Sequence, residues 1–186
     1  MLKFTYSTMG GGKTTEMIKT YYQLKQKGLN PVIAKPNLDD REGDFNGWGF
    51  TSSRITKDAV PAFYFDTIQD VLSKVVFGTL LIDEVQFMLT DDIMRLTDIK
   101  KDVLTYGLKT DVNGNLFPTI AKLMAVADTI EEIPMLCENG NCKNKAVAHS
   151  RYVNGKIDKS GKSVVIENGY ITYKSLCLDC WKKERE

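Results

Sequence analysis

Leu2-Lys3-Phe4-Thr5-Tyr6-Ser7-Thr8-Met9-Gly10-Gly11-Gly12-Lys13-Thr14-Thr15, near the start of the chain, carries the strongest structural signal in the sequence. A short apolar run, Leu2 to Tyr6, feeds a glycine-rich turn, and a helical pattern follows at once with Met17, Ile18, Tyr21, Tyr22 and Leu24 on one face. Strand, glycine turn, helix is the setting a phosphate-binding loop needs. Glycines let backbone N–H groups approach a polyphosphate, and the helix N-terminus adds its partial positive charge. Lys13 can reach the outer phosphates, and the Thr14 hydroxyl can ligate Mg²⁺. Ser7, Gly10, Gly11, Gly12 and Thr15 complete the candidate cradle. The strict motif carries glycine where this chain has Ser7, so an ordinary turn with an exposed lysine stays open on the loop alone.

Outward from that stretch, strands and helices alternate. Gly28 and Pro31 stop the first helix, and Val32-Ile33-Ala34 reads as a strand. Asn37 to Arg54 is polar and too long for an ordinary connection, which marks it as mobile or functional. Asp66 is placed to cap a helix with Ile68, Val71, Leu72 and Val75 inward, and Gln69 to close a capping box. Leu80-Leu81-Ile82 is apolar on both faces, as a central parallel strand requires. Thr90, Asp91 and Asp92 open a helix through Ile93, Leu96 and Ile99. Val103 to Tyr106 reads as a strand, Ile120 to Ala127 as a helix and Ile130 to Leu136 as extended. The expectation is an α/β domain with a mostly parallel sheet.

From Cys137 the texture changes to turn residues, with Glu138-Asn139-Gly140-Asn141, Asn154-Gly155 and a Lys/Ser/Gly stretch from Lys156 to Ser163. This places a boundary near Pro134, dividing the chain into residues 1–133 and 134–186. Cys137-x4-Cys142 and Cys177-x2-Cys180 supply four thiolates in two close pairs, the pattern of a closed structural zinc site, against four buried thiols without metal. His149, the sole histidine, is surplus to that set and reads as an incidental polar or partly buried residue.

Leu80-Leu81-Ile82-Asp83-Glu84 delivers two carboxylates at the C-terminal end of a strand, where open α/β sheets bind ligands. On a strand, neighbours point to opposite sides, so Asp83 suits Mg²⁺ and Glu84 suits proton abstraction. Solvated acids at a strand end are the ordinary alternative. The 186 residues are 42% hydrophobic with a formal net charge of +1, enough for one core plus an appendage and opposed to a strongly basic nucleic-acid groove. No apolar stretch is long enough to cross a bilayer. The opening residues lack the pattern of a secretory leader, so a reducing, cytoplasmic setting is expected.

Taken together, Tyr6-Ser7-x-Met9 before Gly12-Lys13-Thr14, Asp39-Asp40-Arg41, Ile82-Asp83-Glu84-Val85-Gln86-Phe87, Gly107-Leu108-Lys109-Thr110-Asp111 and the cysteine pairs with Tyr173 ahead of Cys177 resemble the type II, zinc-containing thymidine kinases of bacterial type. The resemblance implies a P-loop NTPase-like (RecA-like) core with a small C-terminal zinc-binding lasso. It implies transfer of the ATP γ-phosphoryl group to the 5′-hydroxyl of thymidine or deoxyuridine, with Glu84 as general base. Lys13, Thr14 and Asp83 would hold phosphates and Mg²⁺, and Asp39 and Arg41 would sit near the metal and the transferring phosphate. Met9, Gln86, Phe87, Leu108, Phe117, Gly169 and Tyr173 would contact the nucleoside, though Met9, Phe87 and Tyr173 could equally be packing residues. Val112 stands where many members carry an aromatic ring, which leaves stacking weaker or supplied by Phe117. Structural Zn²⁺, feedback by dTTP and a homotetramer are likewise implied, with neither nucleic acid nor membrane as partner. A rival reading is a phosphate-loop ATPase whose zinc module grips nucleic acid, and the near-neutral charge argues against it.

Overall fold

The computed structural model describes residues 1–37, 47–53, 55–163 and 170–186. Among them a seven-stranded sheet runs in the order β3-β4-β2-β5-β6-β1-β7. Its strands are β1 (Leu2–Ser7), β2 (Pro31–Pro36), β3 (Gly47–Ser52), β4 (Ala59–Phe65), β5 (Thr79–Ile82), β6 (Asp102–Leu108) and β7 (Thr129–Glu132). All neighbours pair in parallel except β3, which runs antiparallel to β4 at the edge. The α/β fold with a mostly parallel sheet is therefore as the alternation of elements predicts.

The central strand β5 is buried at all four positions, which is why its sequence is a continuous apolar run with no alternation. One face of the sheet packs Phe4, Leu80, Ile82 and Val103 against α2 (Ile68–Lys74), α3 (Asp92–Thr97) and α4 (Pro118–Val126). The other packs Ile33, Leu81 and Tyr106 against Met17, Ile18 and Tyr21 of α1 (Lys13–Gln26). Leu24 joins that face, whereas Tyr22, expected with them, is 46% exposed. Helix α1 ends as Gly28 predicts: with φ 70°, its N–H bonds to Lys25 O and the Leu29 N–H to Leu24 O, the paired bonds that close a helix on a left-handed residue.

Three details differ from the sequence reading. The N-cap of α2 is Thr67, and the capping box closes on Asp70, one residue later than Asp66 and Gln69. The Asp70 carboxylate accepts both the Thr67 N–H and hydroxyl at 3.0 Å, a shorter reach than a glutamine needs. Within the supposed loop from Asn37 to Arg54 lies strand β3, and β4 follows it, unanticipated because Pro61 breaks its pattern. The pairing of β4 with β2 begins only at Phe63, so the missing N–H of Pro61 falls where no bond to β2 is needed.

The C-terminal segment forms a second, three-stranded sheet in the order β10-β8-β9, from β8 (Ala148–Val153), β9 (Lys156–Ile157) and β10 (Ile171–Leu176), followed by α5 (Leu178–Arg185). The β8–β9 hairpin turns on Asn154 and Gly155, both at positive φ, as an Asn-Gly turn demands. Arg151 is fully buried here, its Nε and Nη2 on Asp158 Oδ2 at 2.7 and 2.6 Å. Two contacts tie the segment to the phosphate loop side: Ser175 Oγ donates to Met9 O at 2.6 Å, and Thr8 Oγ1 to Met135 Sδ at 3.7 Å. Among the described residues no helix is long and apolar enough to cross a membrane.

Candidate active site

Three strand ends build the site. Ser7 at the end of β1 pairs with Leu108 at the end of β6, and β6 separates β1 from β5. The turn after β1 and the acids after β5 therefore stand two strand spacings apart, about 9–10 Å. That gap has room for a phosphate and the atom that attacks it.

The turn is held open from behind. Gly12 sits at φ 80° ahead of α1, a conformation costly for any residue with a Cβ. Gly11 is glycine for another reason: an added Cβ would lie 1.9 Å from Ser7 Oγ. Ser7, buried and bonded to Ile133 O, thus fills the space behind the loop where the strict motif has nothing. Lys13, 8% exposed, extends its Nζ across the loop to Thr8 O at 2.9 Å. The Thr14 hydroxyl donates to Asp83 Oδ2 at 3.2 Å, and Thr15 Oγ1 lies 2.6 Å from Ser53 Oγ.

Opposite the loop, β5 ends at Ile82 and the chain turns sharply. Asp83 is 1% exposed, and burial, reinforced by the neighbouring Glu84 carboxylate and opposed by Lys35 and Lys13, pushes it up to about 6. Glu84 adopts the left-handed conformation, φ 53° and ψ 39°. The two carboxylates diverge through that turn, not through the alternation of a continuing strand. Its Oε2 accepts from Gln86 Nε2 at 2.6 Å.

Lys13, Thr14, Asp83 and Glu84 line one open cleft, together with Met9, Gly10, Gly12 and Thr15. Lys35, Ser52 and Ser53 also line it and were not anticipated. For Lys35 a signal existed, a cation at the end of an otherwise apolar strand on the same edge of the sheet. Gln86, Phe87, Leu108, Phe117 and Tyr173 lie outside this cleft's wall. Phe87 and Phe117 meet edge to face at 6.1 Å, and Tyr173 packs edge-on against His149 at 6.0 Å. Asp39, Arg41 and Gly169 lie outside the described residues. His149 is 3% exposed, and burial followed by the Lys13 charge holds it down to about 4. It stays neutral near pH 7 and stands apart from the cysteines.

The four cysteines converge. Cys137, Cys142, Cys177 and Cys180 bring their sulfurs within 4.8 Å of one another, and Cys142 Sγ to Cys177 Sγ is 3.8 Å. Tetrahedral zinc with Zn–S bonds of about 2.3 Å separates its sulfurs by about 3.8 Å, so the donor set fits that ion. The Cys180 backbone amide holds the Cys177 thiol down to about 7, and Asn139 Nδ2 donates to Cys180 Sγ at 3.2 Å. These are the donors that ligating thiolates draw around themselves.

A cradle for anions, a buried cation and a pair of carboxylates on opposite rims suit phosphoryl transfer, which demands positioning and charge neutralisation more than covalent chemistry. Comparison with known proteins agrees with that chemistry. A family model described as "Thymidine kinase" matches residues 1–181. The thymidine kinase of Rhodopirellula baltica is 34% identical over 188 residues, covering 95% of this chain and 85% of its own. Those of Francisella tularensis subsp. tularensis and Colwellia psychrerythraea are 30% and 33% identical, each over 98% of this chain and 96% of the relative. With the family model spanning residues 1–181 and relatives similar over nearly the full length, the chain belongs to the thymidine kinase family.

Proposed function

We propose that this protein transfers the γ-phosphoryl group of Mg-ATP to the 5′-hydroxyl of thymidine, and of deoxyuridine, giving the 5′-monophosphate. The observation that carries the reading is that Lys13 and Glu84 face one another across a single open cleft, two strands apart. In this reading Lys13 and the amides of Gly10 to Thr15 hold the β- and γ-phosphates. Thr14 and Asp83, already 3.2 Å apart, hold Mg²⁺, which supplies neutralisation of the phosphate charge. Glu84 takes the proton of the 5′-hydroxyl as the oxygen attacks. The proton passes to the carboxylate, the new bond forms to γ-phosphorus, and ADP carries off the leaving oxygen's charge.

The nucleoside enters from the side of Met9, whose main chain is already tied to β10 through Ser175. Phe87 and Phe117 offer aromatic surface, and Tyr173 on β10 belongs to the segment that selects the base. Asp39, Arg41 and Gly169 keep the roles the family likeness implies. Residues 1–133 act as the nucleotide-binding unit and residues 134–186 as a zinc-stapled unit for nucleoside selection, since metal binding supports a segment too small for a core of its own. A cytoplasmic homotetramer inhibited by dTTP completes the reading, on family likeness alone.

The test is a panel of deoxynucleosides with Mg-ATP. Phosphorylation of thymidine and deoxyuridine, with purine nucleosides untouched, is expected. ATP hydrolysis stimulated by DNA, with no nucleoside phosphorylated, would replace this reading with that of a nucleic-acid-dependent ATPase.

A further inference from the structure

Glu84 occupies a conformation that costs a residue with a Cβ roughly 1–2 kcal/mol, so its surroundings must hold it there. The main chain is held by two bonds, Phe87 N–H to Glu84 O at 3.0 Å and Glu84 N–H to Asp83 Oδ1 at 3.1 Å. Neither fixes the side chain. Gln86 does, donating from Nε2 to Glu84 Oε2 at 2.6 Å while its Oε1 accepts the Leu108 N–H at 3.0 Å. The Leu108 N–H can only donate, so it dictates which end of the amide is oxygen and therefore which end faces the carboxylate. Gln86 is 4% exposed and engaged at both ends.

Space for that amide is made by strand β6. A Cβ on Gly107 would lie 2.5 Å from Gln86 Oε1 and 2.8 Å from Val85 Cγ1. Gly107 is at ordinary φ, so what the position requires is the absence of a side chain, not unusual backbone freedom. The strand between the phosphate loop and the acids is bare at the one residue where the amide crosses it.

We propose that Gln86, seated in the gap left by Gly107, is a positioning residue that anchors the Glu84 carboxylate to the main chain of β6 and aims it across the cleft. Buried and bonded at each end, Gln86 serves the base, in place of the nucleoside contact that the family likeness implies. The inference rests on Glu84 being the base of the kinase reaction.

Three variants test it, through kcat, KM for thymidine and thermal midpoint. Gln86→Leu removes both bonds. Gln86→Glu keeps an acceptor for Leu108 N–H and nearly the same volume but cannot donate to an ionised Glu84. Gly107→Ala displaces the amide without altering it. A general base contributes about 10²–10⁴-fold, and a misaimed one forfeits part of that, so kcat should fall about 10- to 100-fold in both Gln86 variants and about tenfold in Gly107→Ala. KM for thymidine should stay within about threefold, because the loss arises only as the hydroxyl is attacked. In a Glu84→Gln background, Gln86→Leu should lower the residual rate hardly at all, since the carboxylate it aims is gone. A raised KM with kcat intact would make Gln86 a nucleoside contact, and an undiminished effect in the Glu84→Gln background would make it a merely structural residue. Either outcome overturns the proposal. Should Gly107→Ala lose its cooperative unfolding, the near-isosteric Gln86→Glu decides. The wild-type enzyme separates the two levels: no thymidine phosphorylation at all refutes the kinase reading, whereas an active wild type indifferent to Gln86 refutes only the positioning role.

Discussion

Gly11→Ala should damage the phosphate loop by a mechanism that can be reversed at a second site. The new Cβ would stand 1.9 Å from Ser7 Oγ, 2.8 Å from Ser7 Cβ and 3.2 Å from Thr8 O. Relief has two routes. Ser7 can rotate away, giving up its bond to Ile133 O at 2.7 Å and leaving a part-buried carbonyl unpaired, at about 1–3 kcal/mol. Alternatively the loop can shift, with an overpacking cost of about 1–3 kcal/mol and displacement of the amides that receive phosphate. The protein takes the cheaper route or a mixture of the two, so the expected loss is about 1–3 kcal/mol in urea unfolding. ATP affinity should fall at least about tenfold, the equivalent of 1.4 kcal/mol. Ser7→Gly removes the clashing atoms, so the double variant Ser7→Gly/Gly11→Ala should recover about 1–2 kcal/mol relative to the sum of the singles. Urea unfolding and ATP titration of the four proteins complete the cycle. A Gly11→Ala protein within about 0.5 kcal/mol of wild type, or a double variant no better than additive, would refute the packing argument.

Glu84→Gln should lower turnover about 10²–10⁴-fold with ATP affinity nearly unchanged; equal loss of ATP binding would disprove its role as base. Removing zinc with a chelator, or Cys177→Ser, should unfold the C-terminal sheet and abolish nucleoside binding, and elemental analysis that finds no zinc in purified protein would end that idea. Asp83 titrates near 6 in the folded chain against 3.8 unfolded; because the folded value is the higher, its stabilising contribution is complete below about pH 4 and lost as pH rises through about 6. Asp83→Asn, without Mg²⁺ or nucleotide, should match wild type below pH 4 and exceed it in urea midpoint above pH 6. The buried His149 titrates alike in both chains and cancels, so a gap that closes as pH rises contradicts the prediction. Asp158→Ala should leave the fully buried Arg151 without its carboxylate at about 3–5 kcal/mol, seen as a lowered unfolding midpoint; a neutral effect would mean the guanidinium finds another partner.

How far the molecule was legible from its sequence depends on how local each signal is. Strand β1, the glycine turn and α1 are contiguous, so their pattern could be read directly. The same holds for the apolar run of β5 ending in two acids and for the cysteine pairs, each pair spanned by a turn. Where an element's character is set by its neighbours, local pattern misled. Strand β3 alternates half-buried and exposed residues through Trp48 and Phe50, an edge strand's signature hidden among glycines, and β4 was masked by Pro61. Tyr22 and Leu72 fit apolar helical spacing yet sit at the borders of their faces, 46% and 38% exposed.

Local order along the chain is enough to specify chemistry in small sequential packets: an anion cradle with its lysine, a carboxylate pair at a strand end and a four-thiolate set. Tertiary structure alone decided how the packets face one another. Strand order placed β6 between the loop and the acids and so set the width of the cleft. It brought Gly107 beneath Gln86, 21 positions away, and Ile133 behind Ser7, 126 away. Periodicity reports the environment of one element at a time, while contacts such as these are settled by which strands become neighbours in the sheet.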